Sequence, residues 1–258
     1  MFDLFSLKGK TALLTGGTNG IGLGMAQGLV GADLDHLILT YRSEGPLQKT
    51  IDILKQINPN VKIDGVYADF LKGTEEELVE SIYTQALEKA GKIDILINNA
   101  GINYRRAFKT YPQNEFDEVM RVNLNIPVKL TQKVVNHMDD NGIKGSIIFT
   151  GSLCSFQGGI DSSAYAITKG GIKLFTASVS NEFSKKGIRV NCIAPGYIST
   201  NMTEVFDPEF SDGLINRIPM GRWGNEKDFQ GPAVFLASDA SGYITGETLV
   251  VDGGWMNF

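Results

Sequence analysis

Short apolar runs of strand length alternate along this chain with longer stretches whose apolar residues recur at helical spacing. The first run, residues 11–15 (Thr-Ala-Leu-Leu-Thr), has the unbroken apolar character of a strand buried on both faces. A helical pattern follows over residues 23–30. Further strands are predicted over residues 36–41, 61–67, 93–97, 145–150, 188–194 and 248–251. Helices are predicted over residues 46–57, 75–90, 115–137 and 163–185. This alternation argues for an α/β fold: a doubly wound parallel sheet of about seven strands, with helices on both faces and right-handed crossovers. No repeat, linker or low-complexity tract interrupts the pattern, so a single domain over residues 1–258 accounts for it.

In such sheets a ligand lies beyond the carboxyl ends of the strands. Gly16-Gly17-Thr18-Asn19-Gly20-Ile21-Gly22 directly follows the first strand and opens the first helix. Backbone N–H groups at a helix start, together with the helix dipole, favour a phosphate, and glycines remove side chains where the backbone must approach it. A plain strand-to-helix connection would also account for one glycine loop. Other polar or turn-forming residues fall just after strands: Asp69, Asn98-Asn99-Ala100-Gly101, Ser152 and Pro195-Gly196. The topology would bring these scattered residues to one crevice.

The stretch with most chemistry is Ser163-Ala-Tyr165-Ala-Ile-Thr-Lys169, with Ser152 thirteen residues before Tyr165. On a helix, Tyr165 and Lys169 share one face, one turn apart. A phenol has a pKa of about 10, and burial alone raises it. Lowering it by roughly three units takes about 4 kcal/mol. A close ammonium and a cationic ring in a dry site could supply that. Tyr165 then reads as a general acid/base, with Ser152 donating to the oxygen where charge changes. An ordinary amphipathic helix face would also place a Tyr and a Lys at this spacing.

Composition narrows the field. Apolar residues are 42% of the chain and charged residues 21%, as in ordinary soluble proteins. The net charge of −5, with no Lys/Arg block, makes nucleic acid and anionic membranes poor partners. The only cysteines are Cys154 and Cys192, and the only histidines His36 and His137, so neither a disulfide framework nor a metal site is expected. Without a signal-peptide core or a membrane-length apolar run, the expectation is a cytoplasmic protein with reduced thiols.

Taken together, these motifs resemble the short-chain dehydrogenases/reductases, with a Rossmann-type fold. Thr15-Gly16-x-x-x-Gly20-Ile21-Gly22 is similar to that family's cofactor loop, and Asn98-Asn99-Ala100-Gly101 to its strand-four motif. Asn123 falls in an Arg-Val-Asn-Leu segment, and Ser152, Tyr165 and Lys169 match the catalytic set. Pro195-Gly196-x-Ile198-x-Thr200, Gly221-Arg222-x-Gly224 and Val251-Asp-Gly-Gly254 resemble later signatures, so the likeness runs from about residue 8 to 254. The resemblance implies hydride transfer between a substrate carbon and a nicotinamide cofactor. Tyr165 would be the acid/base, Ser152 would hold the same oxygen, and Lys169 would bind the ribose and depress the Tyr165 pKa. Asn123 would hold a water that relays protons to Lys169. The cofactor site would comprise Gly16, Thr18, Asn19, Gly20, Ile21 and Gly22, with Asn99, Ala100 and Gly101, and with Pro195, Gly196, Ile198 and Thr200. Asp69 would read the adenine, unless it merely caps a helix. Near the end of strand two stand Tyr41, Arg42 and Ser43, where NAD users of the family carry an acidic residue. Arg42 could pair with a 2′-phosphate, so NADP is favoured over NAD, although Asn19 stands where many NADP users have a basic residue.

Within the family the nearest resemblance is to the gluconate 5-dehydrogenase and 2-keto-3-deoxygluconate 5-dehydrogenase group. It rests on Asn103-Tyr-Arg105-Arg106, Ser155-Phe-Gln157-Gly-Gly159, the segment 217–224 and Asp252-Gly-Gly-Trp255. Arg105 and Arg106 could clamp a sugar-acid carboxylate and Gln157 could meet hydroxyls. Rim ion pairs are the alternative for both arginines. Met202, Val205, Phe206, Phe210, Leu214 and Ile215 could form a lid over the substrate, and would equally suit a reductase of less polar ketones. A non-catalytic dinucleotide sensor is the reading of another class, but it has no need of the Tyr165 set. The resemblance also implies a homotetramer built on helices 115–137 and 163–185, the second carrying Leu174, Phe175 and Val179 beyond its core stripe.

Overall fold

The structure, a computed structural model, describes residues 3–200 and 208–257, with side chains omitted for 208–211. Seven parallel strands form one sheet in the order β3-β2-β1-β4-β5-β6-β7. They are β1 (Thr11–Thr15), β2 (His36–Tyr41), β3 (Lys62–Tyr67), β4 (Ile95–Asn98), β5 (Ser146–Thr150), β6 (Arg189–Pro195) and β7 (Thr248–Val251). The helices are α1 (Gly20–Gly31), α2 (Glu44–Ile57), α3 (Glu75–Ala90), α4 (Gln113–Met120), α5 (Ile126–Asp140), α6 (Ser163–Phe183), α7 (Pro208–Ile215) and α8 (Gln230–Ala237). Chain order reverses between β1 and β4, which pair in register from Ala12↔Ile95 to Thr15↔Asn98. A crevice opens at such a reversal because the connections on its two sides diverge.

Two apolar layers explain the strand sequences. On one face Leu13, Ile38, Leu96, Ile147 and Val190 pack with α3, α5 and α6. On the other, Leu14, Leu39, Ile97 and Ile148 pack with α1, α2 and α8. Alternate residues of each central strand thus enter opposite layers, and for that reason the strands read as continuous apolar runs. The edge strand β3 is only partly covered, and its polar composition agrees.

Several boundaries differ from the sequence expectation. The helix expected over 46–57 starts at Glu44, because Pro46 is tolerated in a first turn. The fourth strand is Ile95–Asn98 and the last turn of α6 tightens into Ser184–Lys186 before Gly187. The long helix expected over 115–137 is interrupted. Between α4 and α5 lies a π-helical turn, Arg121–Asn125, closed by the Ile126 N–H on the Arg121 carbonyl. Pro127 follows immediately and carries no N–H, so the Asn123 carbonyl loses its ordinary α-helical donor. Helix α8 was not expected: its sequence, Gln-Gly-Pro-Ala-Val-Phe-Leu-Ala, is apolar nearly all round and shows no single stripe. It packs across α1 and against β5.

The α1 contact depends on glycine. A Cβ at Gly24 would lie 1.9 Å from the Glu226 carbonyl oxygen, a backbone atom that cannot swing away. In an exposed helix Gly→Ala gains about 0.5–1 kcal/mol. Here Gly24→Ala is expected to destabilise by about 1–3 kcal/mol, the usual range for overpacking. Urea unfolding that shows a gain in stability would contradict the packing.

Candidate active site

The cleft over the carboxyl ends of β1, β2, β4, β5 and β6 is held together by polar bonds that cross the strands. Gly16, at a left-handed φ of 67°, approaches the β4 loop so closely that a Cβ would lie 2.9 Å from Ala100 Cα. Its N–H donates to Thr40 Oγ1 at 3.1 Å and its carbonyl accepts from Asn99 Nδ2 at 2.9 Å. Thr15 Oγ1 accepts from the N–H groups of Asn99 and Ala100 at 3.0 and 3.1 Å. Asn99 Oδ1 in turn accepts from Thr150 Oγ1 at 3.1 Å. The glycine loop is therefore fixed against the loops after β4 and β5.

Almost all the residues expected around a dinucleotide line this cleft. Thr18, Asn19, Gly20, Ile21 and Gly22 form one side with Gly16. The Asn19 side chain makes no capping bond, which leaves the first N–H groups of α1 as donors toward the cleft. Asn99, Ala100 and Gly101 line it after β4, and Pro195, Gly196, Ile198 and Thr200 at and after the end of β6, with Thr200 against Gly20. Tyr41 and Arg42 stand at the far rim, the Tyr41 hydroxyl donating to Glu44 at 2.6 Å. Ser43, the next residue, is exposed as the N-cap of α2 and is not among the residues lining the cleft. Asp69 lines the same end and does not cap a helix. Its Oδ1 accepts from Leu71 N–H at 3.1 Å, while α3 is capped by Thr74.

Sequence reasoning missed the cleft's apolar walls, Ala68, Phe70 and Leu71 after β3, Ile102 after β4, and Val122 in the π turn. It also missed Thr40, Thr150 and Gly151, at or just beyond the ends of β2 and β5. The position of Thr40 and Thr150 at the carboxyl ends of strands was the available signal.

Tyr165 and Lys169 lie on α6 at the inner end. Lys169 is 4% exposed, its Nζ donates to the Thr150 carbonyl at 2.6 Å and sits 5.4 Å from the centre of the Tyr165 ring. Ser155 Oγ donates to the Lys169 carbonyl at 2.9 Å and accepts from Ser152 N–H at 3.2 Å, tying α6 to the turn that carries Ser152. Burial pushes the Tyr165 phenol up to about 12, with the Ser152 hydroxyl pulling the other way. Burial pushes the Lys169 ammonium down to about 8. In the protein alone the effect of burial on the phenol outweighs the lowering expected from Lys169, with Tyr165 half-buried at the cleft surface and Lys169 enclosed beneath it.

Asn123 is 2% exposed and sits in the π turn. Its Nδ2 donates to the Ile102 carbonyl at 2.8 Å and its Oδ1 accepts from Ile102 N–H at 2.9 Å. The side-chain amide is thus engaged with this backbone on both its oxygen and its nitrogen. The group at Asn123 that lacks its α-helical partner is the carbonyl.

The substrate expectation divides. Arg105 is exposed, with one terminal nitrogen 3.4 Å from the Ile160 carbonyl, and its charge acts on Cys154 and Tyr197. Arg106 is a correction: its Nε lies 2.8 Å from Glu115 Oε2 and a terminal nitrogen donates to Glu115 Oε1 at 2.9 Å. This forked pair on α4 takes it out of the clamp. Gln157 is exposed and does not line the cleft around Tyr165. Cys154 is half-buried, and burial raises its thiol pKa. Leu153, Leu214, Ile218 and Trp255 pack with Tyr197 and Trp223 into an apolar wall, with Tyr197 and Trp255 ring centres 4.7 Å apart. Ile215 is half-buried on α7, whereas Met202, Val205, Phe206 and the Phe210 side chain lie outside the described residues. Among the described residues no His/Cys/Asp/Glu group could hold a metal ion, and no helix is long and apolar enough to cross a membrane.

Comparison with known proteins agrees with this geometry. A family model described as enoyl-(acyl carrier protein) reductase matches residues 16–256. A 2-dehydro-3-deoxy-D-gluconate 5-dehydrogenase of Pseudoalteromonas atlantica is 42% identical over 260 residues, covering 99% of each chain. A gluconate 5-dehydrogenase of Gluconobacter oxydans is 36% identical, covering 98% of this chain and 96% of its own. A crystal structure of a gluconate 5-dehydrogenase from Burkholderia cenocepacia in complex with NADP and tartrate has a TM-score of 0.91 at 34% identity, covering 99% of this chain and 98% of its own.

Proposed function

This chain belongs to the short-chain dehydrogenase/reductase family, and we propose that it interconverts a secondary alcohol and a ketone on a sugar acid or polyol such as gluconate, with NADP. The observation that carries the reading is one continuous cleft with Ser152, Tyr165 and Lys169 at its inner end and Asp69 and Arg42 at its outer end. The cleft suits a dinucleotide. The glycine loop admits no Cβ at Gly16, the N–H donors of α1 face a phosphate position, and Tyr41 rather than a carboxylate ends β2. Arg42, exposed at that rim, presents a planar fork to a 2′-phosphate. Bound there, the nicotinamide supplies or accepts the hydride.

The chain's own residues manage the proton. In reduction, the phenol of Tyr165 stays protonated and donates to the developing alkoxide, while Ser152 Oγ hydrogen-bonds the same oxygen. In oxidation, Tyr165 accepts that proton, for which a cation must offset its burial. Lys169, anchored on Thr150, stands beside the phenol to hold the ribose and return the proton. The Asn123 carbonyl is the acceptor for a relay water behind it.

Arg105 supports an acidic substrate, because its charge is felt at Tyr197 and at Cys154, two residues after Ser152. The apolar wall of Tyr197, Trp223 and Trp255 favours a second reading, a reductase of apolar ketones. The sugar-acid dehydrogenases among the relatives support the first. We also propose a cytoplasmic homotetramer. On α6, Val179 and Phe175 pack into the core, but Leu174 is 72% and Ile167 50% exposed, an apolar face suited to a second subunit.

Tyr165→Phe is expected to lower kcat by about 10²–10⁴-fold, the usual range for a positioned acid/base. NADP affinity should stay near the native value. Substantial retained turnover would remove Tyr165 from the role. With gluconate or another sugar acid, Arg105→Ala should raise KM about tenfold or more, as loss of a charge-assisted bond to the carboxylate requires. Arg106→Ala should affect KM less, since Arg106 is paired to Glu115. Unchanged KM in Arg105→Ala would contradict the acid reading and favour the apolar ketone.

A further inference from the structure

We propose that Arg121 is a positioning residue that holds the adenine end of the cofactor cleft. The proposal rests on reading that cleft as a dinucleotide site. Arg121 opens the π turn, and its guanidinium reaches across to the segment between β3 and α3. Nε donates to the Phe70 carbonyl at 2.7 Å, and one terminal nitrogen donates to the carbonyls of Lys72 and Gly73, each at 2.9 Å. Three carbonyls of one turn thus converge on one planar fork.

The turn they belong to forms the outer cleft wall, through Asp69, Phe70 and Leu71. Ladder bonding to the sheet stops just before it: Ala68 N–H donates to the Tyr41 carbonyl at 2.8 Å. Beyond that, Lys72 N–H donates to the Asp69 carbonyl and Leu71 N–H to Asp69 Oδ1, each at 3.1 Å. Those bonds set the shape of the turn but not its place. The buried Phe70 side chain anchors one point, and Arg121 fixes the backbone on either side of Leu71. A lysine could not do the same, because an ammonium lacks the planar, rigidly spaced donors.

The π turn explains how one short segment serves both ends of the site. Its extra residue widens the coil and turns successive side chains to different sides. Arg121 takes the Phe70–Gly73 backbone, Val122 lines the cleft, and Asn123 takes the Ile102 backbone. The inner end keeps its own fixings, Lys169 on Thr150 and Asn123 on Ile102. Loss of the Arg121 fork should therefore loosen the adenine end alone.

Arg121→Gln and Arg121→Lys test this, with adenosine 2′,5′-bisphosphate and AMP as probes and circular dichroism to verify folding. The comparison uses whichever fragment the wild-type protein binds more tightly. The Gln variant should weaken that fragment by about tenfold or more, as loss of several hydrogen bonds to carbonyls implies, and the Lys variant should lie between. The cofactor KM should rise in parallel, while kcat at saturating cofactor and its pH profile keep their wild-type form. Fragment affinities equal to wild type in folded variants would overturn the inference. So would a fall in kcat as large as the loss of affinity, which marks a general structural role. Wild-type protein that binds neither fragment would overturn the cofactor reading itself, and so separates the two failures.

Discussion

The constraint on which the site depends is the burial of Lys169 directly behind Tyr165 at the inner end of the cleft. Tyr165 and Lys169 share one pocket, and burial acts on them in opposite directions: the phenol rises to about 12 and the ammonium falls to about 8. The environment therefore favours neutral forms of both. A neutral phenol is the right species to give a proton to an alkoxide but a poor one to remove a proton from an alcohol. Ionising it near neutrality requires positive charge close by. The oxidative direction therefore calls for positive charge near the phenol, from Lys169 and from an oxidised nicotinamide if one were bound. The low dielectric that raises the pKa also strengthens the attraction that would lower it.

Everything around that pocket serves to hold it in register with the rest of the cleft. Lys169 Nζ bonds the Thr150 carbonyl, Thr150 Oγ1 bonds Asn99, Asn99 Nδ2 bonds the Gly16 carbonyl, and Gly16 N–H bonds Thr40. These bonds pass from α6 across the ends of β5, β4, β1 and β2. The position of the acid/base is thus tied to that of the glycine loop through side chains at strand ends. The loop's close approach and the parallel register between β1 and β4 are two parts of one device.

Much of this was legible in the chain. The apolar runs located the central strands because these are buried on both faces, and two faces of apolar demand leave little ambiguity; the edge strands β3 and β7 were located from the alternation of elements. Strand ends then brought Gly16, Asn99, Ser152 and Pro195 to one cleft, and α6 brought Tyr165. Harder to see were features set by tertiary contact. The π turn interrupts an unbroken helical pattern, and only Pro127 hinted at it. Helix α8 has no polar face to give it a period. Arg106 and Arg105 are adjacent in sequence, yet Glu115, nine residues on, claims only one of them. For Asn123 the Ile102 backbone that engages its amide was not foreseen, because no local spacing encodes that contact. The pKa of Tyr165 depends on how fully the pocket excludes water, which motif spacing does not report.

The most direct test of the account is a titration of the Tyr165 phenol by phenolate absorbance, taken as the difference between wild type and Tyr165→Phe, with and without saturating NADP⁺. Without the cofactor, no Tyr165 phenolate should form below about pH 10, since burial holds the phenol near about 12. With NADP⁺, the same signal should appear several pH units lower. A phenol that titrates alike in both states, whether high or low, would contradict the claim that burial sets the resting state and the cofactor's charge releases it.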